Sequence, residues 1–225
     1  MEKASGNHLQ PLVVKKYAKS VEKAEFLDSK IKERLSNKEY VIKAIEDSAI
    51  GSVFRYASKE LKADKDVALA AVIKYGYNLR YVAGEYKNDK EFMLDVVKKA
   101  PFSLEYASEE LKSDKDVVLT AIQRDGLAFQ YASDELKANK EVALAAVSKI
   151  GYNIQFVSKE LQLDKDVAIA AVKNIGFALQ YASKKLKSDK DVVIAAVRQD
   201  GGALRFASLK LRQDPEVLAV CRQLK

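Results

Sequence analysis

Residues 164–188 read DKDVAIAAVKNIGFALQYASKKLKS, and this stretch decides the fold because it contains one complete structural unit. Asp164 is typical of a helix N-cap, whose carboxylate accepts hydrogen bonds from the unpaired N–H groups of the first turn. The apolar run from Val167 to Val172 predicts a short helix buried between neighbours. Gly176 predicts a left-handed residue that ends this helix.

The second half of the stretch predicts another short helix and one further turn. Leu179 and Tyr181 belong to this second helix, and Ser183 is expected to cap a turn that buries Leu186. One unit of 25 residues has too few apolar side chains to offset the entropy lost on ordering it. We therefore expect the units to stack and to share their apolar faces.

The same pattern recurs along most of the chain. An aromatic residue followed by small residues repeats every 25 positions, at Tyr56, Tyr81, Tyr106, Tyr131, Phe156, Tyr181 and Phe206. An Asp or Asn before Lys repeats with the same spacing after a first gap of 27, at Asn37, Asp64, Asp89, Asp114, Asn139, Asp164 and Asp189. This periodicity predicts an all-α fold, an α-solenoid of seven helical-hairpin repeats over residues 37–213.

The two ends of the chain lack the repeat and predict capping helices. Residues 9–36 are rich in charge and are expected to form N-terminal capping helices, preceded by a flexible tail at 1–8. Residues 214–225 begin with Asp-Pro-Glu, an N-cap followed by a first-turn proline. They predict a C-terminal capping helix that ends at Lys225.

One region interrupts the pattern. Gly84 and Tyr86 replace the usual Ser and Leu, Asp95 replaces a small residue, and Pro101 stands where other units have Gly. Because proline cannot adopt a positive φ, the preceding helix must end differently. We expect a local break in regularity at residues 84–103.

The composition favours a folded chain that does not insert into a membrane. It is 48% hydrophobic and 32% charged, with a formal net charge of +7, and no stretch approaches the length of about 18 apolar residues that a membrane span needs. The single cysteine, Cys221, excludes an intramolecular disulfide. Because residues 1–20 lack an apolar secretory signal, we predict a cytoplasmic location, and export into a host cell by a non-classical route stays open.

No catalytic, cofactor or metal site is predicted. The one histidine, His8, lies in the expected tail, which argues against Ser-His and Cys-His nucleophiles and multi-histidine metal sites. The carboxylates recur as helix caps and first-turn residues. We therefore expect a protein that is not an enzyme.

Two repeated features are interpreted as structural. Phe replaces Tyr at positions 156 and 206 of the aromatic series and the flanking residues are apolar, so these rings are assigned to the core; a platform for stacking nucleic-acid bases is the alternative. The Lys after each cap is followed by an acidic residue, which predicts a solvated edge that neutralises itself.

The last turn of the first helix predicts a partner-binding surface. From the second unit to the seventh it has cations and no acidic residue at the matching positions. With one neighbouring tyrosine, the candidate partner-binding residues are Lys74, Tyr75, Lys98, Lys99, Arg124, Lys149, Lys173 and Arg198, and the cations among them are called the cationic row. A second row is long and polar: Arg55, Arg80, Glu105, Gln130, Gln155, Gln180 and Arg205.

The unit pattern D-K-[DE]-V-[AV]-[LI]-A-A-V, then G, then [LIF]-x-[YF]-[AV]-S-x-E-L-K, resembles a known repeat family. It is similar to the bacterial and protist repeats of the domain-of-unknown-function series, number four-one-one-six, over residues 37–220. The resemblance implies tandem helical repeats. Because such repeats occur in intracellular bacteria, it also implies host proteins as candidate partners.

The expected function is binding of a macromolecule by a monomer. The preferred hypothesis is a scaffold whose cationic row contacts an acidic segment of a protein partner. One alternative is single-stranded nucleic acid, read one base per unit by variable pairs such as Asn174-Ile175 and Gln199-Asp200. Isoleucine and alanine at these positions argue against base reading. A purely architectural module of a larger protein is a further alternative.

Overall fold

The structure is a computed structural model that describes residues 33–47 and 53–223. Every regular element in these residues is helical, and none of them is a strand. The contacts divide the chain into two compact units, Met1–Tyr106 and Ala107–Lys225, and each is considered by itself. The tail predicted at 1–8, and the capping helices predicted at 9–36 apart from residues 33–36, lie outside the described residues.

Each repeat consists of a long α-helix, a 3-10 segment and one short turn. The long helices are Lys38–Asp47, Lys65–Lys74, Lys90–Val97, Lys115–Arg124, Lys140–Lys149, Lys165–Asn174 and Lys190–Gln199, and a last helix spans Pro215–Arg222. The 3-10 segments are Val53–Tyr56, Gly76–Tyr81, Pro101–Tyr106, Gly126–Tyr131, Gly151–Gln155, Gly176–Tyr181 and Gly201–Phe206. The short turns are Lys59–Lys62, Gly84–Lys87, Glu109–Lys112, Asp134–Lys137, Leu161–Leu163, Leu186–Ser188 and Leu209–Arg212.

The capping residues lie where the sequence predicts them. Asp164 Oδ1 accepts hydrogen bonds from the backbone N–H groups of Asp166 and Val167, at 2.9 and 3.1 Å. Ser183 Oγ accepts from Leu186 N at 3.3 Å and starts the short turn. The last helix begins at the predicted proline, but it ends at Arg222, with Gln223 as its C-cap, and not at Lys225 as expected.

The glycines do not have the predicted role. No glycine among the described residues has a positive φ, and the helix Lys165–Asn174 is followed by Ile175, whose backbone is extended with φ −139° and ψ 110°. A Cβ on Gly151 would overlap the carbonyl oxygen of Ala171. A Cβ on Gly176 would lie 2.5 Å from the carbonyl oxygen of Ala196. Glycine is required here because the long helix of the next repeat passes close to its backbone.

The core of each unit lies between its long helices and 3-10 segments. In Ala107–Lys225, successive long helices contact one another, and Phe129, Ile154 and Leu179 are fully buried at equivalent positions of three 3-10 segments. In Met1–Tyr106 the equivalent buried residues are Phe54, Leu79 and Leu104. Inside each compact unit, neighbouring repeats therefore cover apolar side chains that a single repeat could not bury alone.

The predicted irregular region has a shorter helix. Lys90–Val97 has 8 residues, whereas Lys65–Lys74 has 10, and the following 3-10 segment still begins at the proline. Ala83, and not Gly84, occupies the position of the cap serine and provides no side-chain acceptor. Tyr86 replaces the buried leucine, and its hydroxyl donates to Ala63 O at 2.8 Å.

Candidate partner-binding surfaces

Five of the lysines that follow the helix caps form ion pairs with a neighbouring repeat. Lys140 Nζ lies 2.8 Å from Asp164 Oδ2 and 2.7 Å from Asp166 Oδ2, the cap and the first-turn acid of the next long helix. Equivalent pairs define the lysine ladder, which consists of Lys38, Lys115, Lys140, Lys165 and Lys190. The sequence predicts an edge that neutralises itself, and the neutralising carboxylates prove to belong to the following repeat.

The ladder shifts the pKa values of both partners. Hydrogen bonds donated to Asp164 and Asp166 hold the pKa of Lys140 above its ordinary value. The hydrogen bond from Lys140 holds the pKa of Asp164 below its ordinary value, against the effect of desolvation. The N-terminal ends of these helices are therefore charged and internally compensated at neutral pH.

The cationic row lies at the opposite ends of the long helices. All its members are exposed, whereas the neighbouring Tyr75 is half-buried. Lys98 Nζ lies 3.7 Å from Asp95 Oδ1, and Lys74 Nζ lies 6.0 Å from the centroid of the Tyr75 ring. The remaining members make no ion pair with any residue that the structure describes: Lys99, Arg124, Lys149, Lys173 and Arg198.

In the unit Ala107–Lys225 the row occupies four long helices that contact one another in series: Lys115–Arg124, Lys140–Lys149, Lys165–Asn174 and Lys190–Gln199. Its members are Arg124, Lys149, Lys173 and Arg198. The acidic residues that follow two of these helices are engaged as caps. Asp125 Oδ1 accepts from Leu127 N at 2.9 Å, and Asp200 Oδ1 accepts from Gly202 N at 2.8 Å.

Two of the side chains considered for base reading, Asn174 and Gln199, form hydrogen bonds inside the fold. Asn174 Oδ1 accepts from Gly151 N at 2.7 Å, and Gln199 Oε1 accepts from Gly176 N. Asn174 Nδ2 also donates to Ser148 O at 3.0 Å. In these two repeats the amides therefore join one long helix to the preceding repeat.

The repeated aromatic residue is not part of the fully buried core to which the sequence assigned it. Tyr181 is 38% exposed and the other members, from Tyr56 to Phe206, are half-buried, whereas Leu179 is fully buried. Both kinds of residue are apolar, so the sequence gives no signal to separate them. A 3-10 helix has about three residues per turn, which directs residues two positions apart to different sides.

A second recurring aromatic residue lies at the second position of the 3-10 segments, and it is not among the repeated features predicted from the sequence. It is half-buried or exposed at Tyr77, Phe102, Tyr152 and Phe177. Rings from neighbouring repeats meet edge to face, with 6.0 Å between the centroids of Tyr152 and Tyr181 and 5.7 Å between those of Phe177 and Phe206. The 25-residue spacing of these aromatics is the signal that could have revealed the position.

The second polar row lies beside these rings. Gln130 and Gln155 donate their amides to the carbonyl groups of Leu127 and Tyr152, three residues earlier, both at 3.1 Å. The arginines of this row instead lie over rings, and the guanidinium carbon of Arg80 is 5.0 Å from the Tyr106 centroid.

The described residues contain no group of three or more His, Cys, Asp and Glu side chains placed to hold a metal ion. Within the same residues, no helix combines the length and the apolar character that crossing a membrane requires.

The repeats match one family model. Its description is "Domain of unknown function (DUF4116)", and the matched residues are 37–87, 64–112, 89–137, 114–162, 139–187 and 164–212. Each match begins at the Asp or Asn that caps a long helix. No curated protein and no solved structure matches the chain.

Proposed function

We propose that this chain, which belongs to the DUF4116 repeat family, is a non-catalytic scaffold whose cationic row binds an acidic segment of a protein partner. One observation carries the proposal: the cations at the two ends of the same helices differ in their partners. The lysines of the ladder pair with carboxylates of the next repeat, whereas most cations of the row make no ion pair with a described residue. The proposal includes the seven-repeat α-solenoid, which the helix contacts inside each unit support.

The helix dipole alone explains only part of this arrangement. Cations are favoured near helix C-termini by roughly 0.3–1 kcal/mol, which accounts for their sign. It does not account for the lack of ion pairs with described residues at five of the seven cations, in a chain that pairs most of the lysines at the other end. A surface of aligned, unpaired cations attracts an anionic segment and speeds its association.

Single-stranded nucleic acid is the less favoured partner. Two of the side chains in position to read bases are engaged in hydrogen bonds between repeats. The rings beside the second polar row meet one another edge to face, and stacked bases need open ring faces.

The test is affinity capture from the natural cellular context with the wild-type chain and two quadruple variants. The row variant changes Arg124, Lys149, Lys173 and Arg198 to Glu. The control changes Lys43, Lys59, Lys159 and Arg222 to Glu, which alters the net charge equally at other exposed positions. We expect the row variant to lose a protein that the control retains, with Kd raised on the order of 100-fold at low salt.

Two results would contradict the proposal. Equal loss in both variants would indicate attraction by net charge alone, and retention in the row variant would place the interaction elsewhere. Urea unfolding of the three proteins establishes that each is folded before the comparison is made.

A further inference from the structure

A second cationic site lies in the last two repeats, where Arg205 lies against two aromatic rings that contact each other. Its guanidinium carbon lies 4.8 Å from the centroid of Phe177 and 4.7 Å from that of Phe206. Gly202 stands where the second to sixth repeats have a ring or a leucine, and a Cβ there would lie 3.1 Å from the Phe177 ring. The glycine therefore leaves the space in which Phe177 approaches the next repeat.

The guanidinium of Arg205 is positioned without its donors being used. Its side chain is exposed and makes no hydrogen bond or ion pair with any residue in the described part of the chain. Contacts with the two rings hold it through cation–π attraction, which leaves the N–H groups at its edge available. A planar guanidinium fixed in this way loses little further freedom on binding a carboxylate with two parallel hydrogen bonds.

The last two repeats contain other cations and exposed apolar side chains. Lys187 Nζ donates to Gln180 O at 2.6 Å, and Arg212 Nε donates to Ala207 O at 2.9 Å, which keeps two more cations in these repeats. Two apolar side chains near them in the sequence are exposed, Tyr181 by 38% and Leu209 by 76%.

The carboxylates of residues 176–213 are all engaged elsewhere. Lys165 bridges Asp189 and Asp191 at 2.9 and 2.6 Å, and Asp200 caps the N–H of Gly202. No other acidic residue occurs in this range. None of these three carboxylates forms an ion pair with Arg205.

We infer that Phe177, Arg205 and Phe206 form a clamp for a carboxylate side chain in an extended acidic segment of a partner protein. An apolar side chain of that segment contacts Leu209 or Tyr181. The inference rests on the proposed function and narrows it to a partner with acidic and apolar residues close together. Nucleic acid fits less well because Arg205 covers ring surface on which bases would stack.

The test uses fluorescence anisotropy with a blocked peptide of alternating Glu and Leu, the same peptide with Gln in place of Glu, and an oligothymidylate. The decisive variant is Arg205→Gln, because the equivalent positions 130, 155 and 180 already have Gln and the fold accepts it. Arg222→Gln is the matched control, with the same charge change at another exposed arginine.

We expect Arg205→Gln to raise the Kd of the Glu-Leu peptide by about tenfold or more and Arg222→Gln to raise it by less than about twofold. Arg205→Lys should lose most of the affinity too, because an ammonium lacks the planar fork. The Gln-Leu peptide should bind weakly to every variant.

Several outcomes would overturn the clamp: no binding of the Glu-Leu peptide to the wild-type chain, equal loss in the two glutamine variants, or an Arg205 dependence seen only with the oligothymidylate. If the row variant loses the cellular partner while Arg205→Gln leaves the peptide Kd unchanged, the clamp is wrong and the proposed function stands. The reverse pattern retains the clamp and removes the row.

Discussion

The two ends of one helix, Lys140–Lys149, show how the same residue type acquires different roles. Lys140 bridges two carboxylates of the next repeat, whereas Lys149 makes no ion pair with a described residue. Both side chains are exposed, and Lys140 begins the helix whereas Lys149 ends it. The difference depends on what the neighbouring repeat places opposite each end. Charge counted along the sequence therefore overstates what is available to a partner.

The largest loss of stability is expected where the C-terminal end of one long helix packs against the backbone of the preceding repeat. Gly151→Ala would force a Cβ against Ala171 O, and we expect it to lower the free energy of unfolding by about 3 kcal/mol. The control is Gly84→Ala, at a glycine with no atom within 4 Å, which should raise it by about 0.5 kcal/mol. Urea unfolding measures both, and similar values would refute the close approach.

A smaller effect should separate the two lysines of this helix. Lys140→Met removes a bridge to two carboxylates and leaves them close together, so we expect a loss of stability below that of Gly151→Ala. Lys149→Met should be nearly neutral. Because the ladder is exposed, the loss for Lys140→Met should shrink as salt is added. Equal losses at Lys140 and Lys149 would contradict the assignment of the ladder as structural.

The smallest expected effect is a pH dependence of the stability difference between wild type and Lys140→Met. The pKa of Asp164 is lowered in the folded chain, so its contribution to stability is present above the ordinary Asp pKa of about 3.9 and is lost as pH falls through the lowered value. Lys140→Met removes the main cause of the shift. The stability gap between wild type and variant should therefore narrow from neutral pH to about pH 2.5.

The matching change at high pH has the opposite sign. The pKa of Lys140 is raised, so its contribution is present below the ordinary Lys pKa and disappears as pH rises through the raised value. Urea unfolding of wild type and Lys140→Met from neutral pH down to about pH 2.5 measures the acidic change in the stability gap. A gap that stays constant in acid would show that the ladder does not act through these charges.

The sequence predicts what depends on one repeat and fails on what depends on two. The caps Asp164 and Ser183 are correct because a cap bonds N–H groups two or three residues away. The role of Gly151 is wrong because a glycine after a helix fits both a left-handed end and a close approach. Only the position of the next repeat distinguishes the two.

The candidate surfaces follow the same rule. The exposure of the cationic row could be predicted, because charged residues at a helix end remain in water. The exposure of Tyr181 could not, because it alternates with the buried Leu179 in an apolar segment whose 3-10 geometry is not evident from its composition. The contacts of Arg205 join residues in two repeats and likewise have no local signal.

The most direct test of the central claim compares lysine reactivity at the two ends of the long helices. Brief acetylation, read by mass spectrometry, is performed with and without a blocked oligoglutamate peptide. The account predicts that Lys149 and Lys173 react quickly and are protected by the peptide, whereas Lys140 and Lys165, whose pKa values are raised, react slowly in both conditions. Equal reactivity at the two ends, or equal protection by the peptide, would contradict it.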